Sequence, residues 1–62
     1  MNIVDKIDAY CAREKISIKE FERRCNLANA VVHKWRAGLN RPTLKTIEKI
    51  CKATHTKMGA WL

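Results

Sequence analysis

Cys11, Cys25, Cys51 and His33 are the side chains of this 62-residue chain that offer a four-ligand set for zinc. Structural zinc sites are built on chelating pairs separated by roughly two to five residues, whereas these four are far apart and include no C-x-x-C pair. All three cysteines fall on apolar faces, so they read as core thiols; no metal is expected, and an odd, scattered set argues against a disulfide framework. Asp5 and Asp8 come nearest to a carboxylate pair for acid–base work, but they read more simply as charge near the start of a helix. The chain has no glycine-rich phosphate loop and no nucleophile elbow. One small domain also lacks a second layer with which to form a cleft. No catalytic residue, cofactor or small-molecule substrate is expected. Trp35 and Trp61 have the chemistry for base stacking, yet both lie on inward stripes and read as core.

The remaining chemistry is electrostatic. Thirteen Lys and Arg against six Asp and Glu give a net charge of +7, which suits a polyanionic partner: nucleic acid, an anionic membrane surface or an acidic protein. The distribution is uneven. Through Glu22 the basic residues Lys6, Arg13, Lys15 and Lys19 are outnumbered by Asp5, Asp8, Glu14, Glu20 and Glu22. From Arg23 onward nine basic residues face Glu48 alone, so nearly all the excess lies in the C-terminal two thirds.

The elements that must carry this charge are helical, because apolar residues recur at helical spacing and no segment alternates with period two. Ile3, Ile7, Tyr10 and Cys11 predict a first helix, capped by Asn2 and ending near Glu14 or Lys15. Ser17-Ile18-Lys19-Glu20 has the form of a capping box, with Ser17 bonding the amide of Glu20 and Glu20 reaching back to that of Ser17. Ile16 and Phe21 occupy the positions of a hydrophobic staple over the same start. This second helix turns Ile18, Phe21 and Cys25 inward and Lys19, Glu22 and Arg23 to the other face, and Asn26 suits a left-handed exit. Ala28, Val32 and Trp35 predict a third helix over about 28–36, stopped by Gly38 and joined to the second by about three residues. Two short helices so joined have the geometry of a helix-turn-helix. After Arg41-Pro42, Thr43 caps a fourth helix with Leu44, Ile47, Ile50, Cys51 and Thr54 inward and Lys45, Lys49 and Lys52 outward. Residues Thr56 to Leu62 predict a last short helix burying Met58, Trp61 and Leu62, with His55 a surface or capping residue before it.

The run from Ile18 to Trp35, with Arg36-Ala37-Gly38 and Pro42, resembles the phage repressor and Cro family of bacterial DNA-binding domains, also called XRE-like. The resemblance covers almost the whole chain, and Phe21, Cys25, Leu27, Val32 and Trp35 occupy the positions that lock its two central helices together. It implies an all-α, lambda-repressor-like compact bundle of about five short helices spanning residues 1–62, either a single-domain protein or the DNA-binding part of a longer regulator. It further implies a transcriptional regulator, a repressor or Cro-like protein, with the third helix in the major groove of double-stranded DNA and a homodimer on an inverted-repeat operator whose half-sites lie about one helical turn apart.

On that resemblance Asn29, Ala30, Val31, His33 and Lys34 face base edges, with Asn29 and Lys34 foremost. Asn pairs bidentately with adenine, Lys donates to guanine, and an apolar side chain meets the thymine methyl. Lys19, Arg36, Asn40, Arg41, Thr43 and Lys45 are then the phosphate anchors. The chain departs from its relatives in four places. Glu22 stands where they have Ala, Asn26 replaces a turn glycine, Ala28 replaces a capping Ser or Thr, and Ile18 replaces a phosphate-binding Gln. Loss of the Ala28 cap is worth about 1 kcal/mol. Val32 takes the buried position, which leaves Val31 as an exposed apolar residue.

The alternative reading is a protein-interaction module that uses Ala30 and Val31 of the third helix to hold another protein instead of DNA. A basic amphipathic peptide on a membrane is the third. No apolar stretch approaches the roughly 18 residues of a membrane span, so the expected setting is the cytoplasm of a bacterium, or of one carrying a phage, with the protein at the nucleoid when bound.

Overall fold

A computed structural model describes residues 2–62. The order of elements is α1 (Ile3–Glu14), α2 (Ile18–Arg24), α3 (Val31–Arg36), α4 (Leu44–Thr54) and a single 3-10 turn, Met58–Ala60. Among the described residues the fold is all-α, with four α-helices and this turn in place of five helices.

Three of the four helices start where a side-chain oxygen meets an orphan amide. Asn2 accepts from the amide of Asp5 at 3.0 Å, Ser17 from that of Glu20 at 3.1 Å, and Thr43 from that of Thr46 at 3.2 Å. The capping box at Ser17 is half made. Glu20 does not reach back; it pairs with Arg23 at 2.7 Å and Arg24 at 3.4 Å, three and four positions on, where two guanidinium groups outcompete one amide.

All four helices end alike. Lys15, Asn26, Gly38 and His55 take left-handed backbone angles (φ 57°, 56°, 77° and 57°). The amide that follows each one bonds a carbonyl five residues back: Ile16 to Cys11, Leu27 to Glu22, Leu39 to Lys34 and Thr56 to Cys51. This is the bond of a Schellman ending, and it satisfies carbonyls that the helix itself leaves free. Asn26 and Gly38 serve as the sequence predicts, and His55 is an exposed helix end.

The core is drawn from all four helices and from Trp61, just after the 3-10 turn. Ile7, Phe21, Val32 and Ile50 are fully buried, and Val4, Cys11, Cys25, Trp35, Ile47 and Trp61 nearly so. Tyr10, Phe21 and Trp61 form an aromatic cluster with ring centroids 5.7 to 6.1 Å apart, joining α1, α2 and the C-terminal turn. Trp61 Nε1 donates to Thr56 Oγ1 at 2.6 Å, so its polar edge is satisfied inside the fold.

Five expectations are corrected. The third helix begins at Val31, not near Ala28, and six residues separate it from α2 instead of about three. Ala28 lacks a capping hydroxyl, and Ala30 leaves the helical region at φ 62°. Glu22 is not on the outer face of α2 but 6% exposed. Leu44 belongs to the exposed side of α4, because as its first residue it lies beyond the reach of the stripe that Ile47 and Ile50 bury. Leu62 is exposed too: the 3-10 turn rotates Trp61 inward and its neighbour outward. Among the described residues no helix is long and apolar enough to cross a membrane.

Candidate nucleic-acid interface

The side chains expected to act together fall on two adjacent stretches of chain. Asn29 and Ala30 are exposed in the turn that leads into α3, closed by the Val31 amide bonding the Ala28 carbonyl at 3.2 Å. His33 and Lys34 follow on the exposed side of α3, while Val32 and Trp35 anchor its other side in the core. α3 is short because both its ends are forced: Ala30 precedes it in a left-handed conformation, and Gly38 ends it in another. Val31 does not stand exposed. It is half-buried and packs against the core, which leaves it less surface to present than its four neighbours in the set.

The expected phosphate anchors lie on the stretches of chain that precede and follow this helix. Lys19 is exposed in the first turn of α2, and Asn40, Arg41, Thr43 and Lys45 are exposed along the connector from α3 into α4. Among the described residues Lys19, Lys34, Arg41 and Lys45 form no ion pair. Thr43 is occupied as the cap of α4 and its hydroxyl also lies 3.1 Å from that of Thr46.

Arg36 is different. Its guanidinium makes a two-pronged pair with Asp8 of α1, at 2.9 and 2.8 Å, across 28 positions of sequence. The hydrogen bond to Arg36 holds the Asp8 carboxyl below its ordinary range, and the same bond raises Arg36. Asp8, read from sequence as mere helix charge, thus ties α1 to the end of α3. No signal within α1 could have revealed this, since its partner lies two helices away.

Glu22 is the other residue that sequence reasoning misplaced. Its carboxylate reaches from α2 to the start of α3 and accepts from the amides of Ala30 at 3.2 Å and Val32 at 3.0 Å. The signal in the sequence was only partial: Ala28 and Ala30 cannot cap α3, but Asn29 between them could have, and only the structure shows that no local side chain does.

Cys11 and Cys25 are buried, Cys51 is partly so, and all three are free thiols. Burial first, then the neighbouring Cys11, pushes the Cys25 thiol up to about 11, which keeps it protonated and unreactive at neutral pH.

Compared with known protein families, residues 6–59 match the model of the Cro/C1-type helix-turn-helix DNA-binding domain. No curated protein and no solved structure matches the chain.

Proposed function

Since this chain belongs to the family of Cro/C1-type helix-turn-helix DNA-binding domains, we propose that it is a sequence-specific transcriptional regulator of the repressor or Cro kind, bound as a homodimer to an inverted repeat in double-stranded DNA. It works in the cytoplasm of a bacterium or of a phage-carrying host. α3 enters the major groove. Asn29 and Lys34 read base edges by paired and single hydrogen bonds, His33 adds a donor, and the Ala30 methyl and the exposed part of Val31 meet thymine methyl groups. Lys19, Asn40, Arg41, Thr43 and Lys45 hold phosphates on either side. Arg36 joins them only by giving up Asp8.

The observation that carries this reading is that α3 presents exposed His33 and Lys34 while the stretches before and after it carry cations that are exposed and, among the described residues, without ion pairs: Lys19 in α2, and Arg41 and Lys45 in and just after the connector. The protein-interaction alternative uses the same exposed Ala30 and half-buried Val31, so binding experiments separate the two readings.

The test is selection from a random duplex pool near physiological salt, followed by affinity measurements on the enriched site. A two-fold symmetric motif is expected. Asn29→Ala should cost about 1–3 kcal/mol and relax preference at one position, while Arg41→Ala should weaken all duplexes alike and lower the salt slope by about one. Binding that depends on salt but enriches no sequence would reduce the role to phosphate attraction. A stoichiometric protein partner that DNA fails to displace would favour the interaction module.

A further inference from the structure

We propose that Glu22 is a positioning residue for sequence-selective DNA binding: from α2 it clamps the first turn of α3 in the orientation that brings Asn29, His33 and Lys34 to the bases. The proposal rests on the DNA-binding reading above and adds to it a residue that touches no DNA.

Glu22 is the buried charged residue among the described ones, and both its oxygens are used, one by the Ala30 amide and one by that of Val32. These bonds span eight and ten positions and join one helix to the next. Six residues are too few for α3 to persist by its own hydrogen bonds. Its far side is fixed by Val32 and Trp35 in the core, but its N-terminal turn has no cap of its own, and Ala30 sits there in a conformation that L-residues disfavour. The carboxylate supplies what the turn lacks. It satisfies two amides, places negative charge at the positive end of the helix, and fixes where the backbone turns at residue 30.

Moving the cap onto α2 also changes the outer surface. A residue that caps a helix from within must turn its side chain back to the backbone. Here residues 28 to 30 are all exposed, and among the described residues the Asn29 side chain makes no hydrogen bond within the protein. Its amide is left free for a base edge, while the helix is held from behind.

Glu22→Gln is the informative change. It keeps the volume and one acceptor, but turns the second acceptor into a donor that faces an amide N–H. Affinities of wild type and variant are measured for the selected duplex and for a scrambled one, at one salt concentration, at a temperature where circular dichroism shows each fully folded. Selectivity, the ratio of the two affinities, should fall about tenfold. Affinity for the scrambled duplex, set by Lys19, Arg41 and Lys45, should stay within about twofold. A purely structural Glu22 would leave the ratio intact or lower both affinities together, and either result overturns the proposal. Should Glu22→Gln fail to fold, Glu22→Asp, which keeps both acceptors but withdraws them by one methylene, is measured in its place with the same two outcomes. Amide hydrogen exchange on the free wild-type protein tests the clamp without DNA: Ala30 and Val32 should exchange as slowly as core amides, and exchange at open-turn rates overturns the proposal. Wild-type protein that binds every duplex alike fails the DNA reading, and the proposal with it. Selective wild-type binding with an unchanged ratio in the variant overturns the proposal alone.

Discussion

Ala30 holds φ 62° and ψ 16°, a left-handed conformation that its Cβ opposes by about 1–2 kcal/mol. Asn26 takes nearly the same φ at the end of α2, but Asn tolerates it through its short polar side chain, and alanine has no such compensation. The strain sits at the junction from which α3 is aimed, and the Glu22 carboxylate holds the amide of that same residue. Ala30→Gly should therefore stabilise the fold. The strain relieved exceeds the extra freedom that glycine gains in the unfolded chain, and the net gain is about 0.5 kcal/mol. The urea midpoint should rise; an unchanged or lower one would mean that the surrounding structure already absorbs the strain.

Among the elements, α4 is the plainest case of local chemistry setting a boundary. Pro42 excludes a helical conformation from Arg41, and the Thr43 hydroxyl takes the Thr46 amide. The Ile47 and Ile50 side chains then carry the helix into the core. Thr43→Ala should cost about 1 kcal/mol in urea unfolding, and Thr43→Ser should recover most of it because the hydroxyl is retained. Equal losses in both variants would assign the effect to the methyl group instead of the cap. α3 is the opposite case. With no cap of its own and only six residues, it exists because α2 and the core hold it. That difference explains why the start of α4 was legible in the sequence to the residue, while the start of α3 was misplaced by three.

At the scale of the molecule, two long-range ties fix how the helices sit. The aromatic cluster of Tyr10, Phe21 and Trp61 joins the chain's two ends through α2. The pair of Asp8 and Arg36 joins α1 to the end of α3, on the surface with both side chains about half exposed. The pair has a pH signature. Folding lowers the Asp8 pKa, so its stabilisation is present at neutral pH and is lost as pH falls through the ordinary value of 3.8 toward the lower folded value. Asp8→Asn should lower the thermal midpoint at pH 7, and the two curves should converge in acid below that ordinary value. Curves that stay parallel through this range would show that the pair contributes nothing to folding.

The all-helical class, three of the four helix starts, the turns at Asn26 and Gly38 and the charge gathered toward the C-terminal side were all readable from residues, because caps, turns and apolar stripes act over three to five positions. The family resemblance rests on Phe21, Cys25, Leu27, Val32 and Trp35, which pack into or against one core, Leu27 from the connector between α2 and α3. What the sequence did not reveal lies at longer range. Glu22 finds its amides eight and ten residues on, Asp8 finds Arg36 twenty-eight residues on, and Val31 turns partly inward because the helix it begins is docked from outside itself. Each of these depends on which surfaces meet after the helices have formed, and only the packed chain decides that.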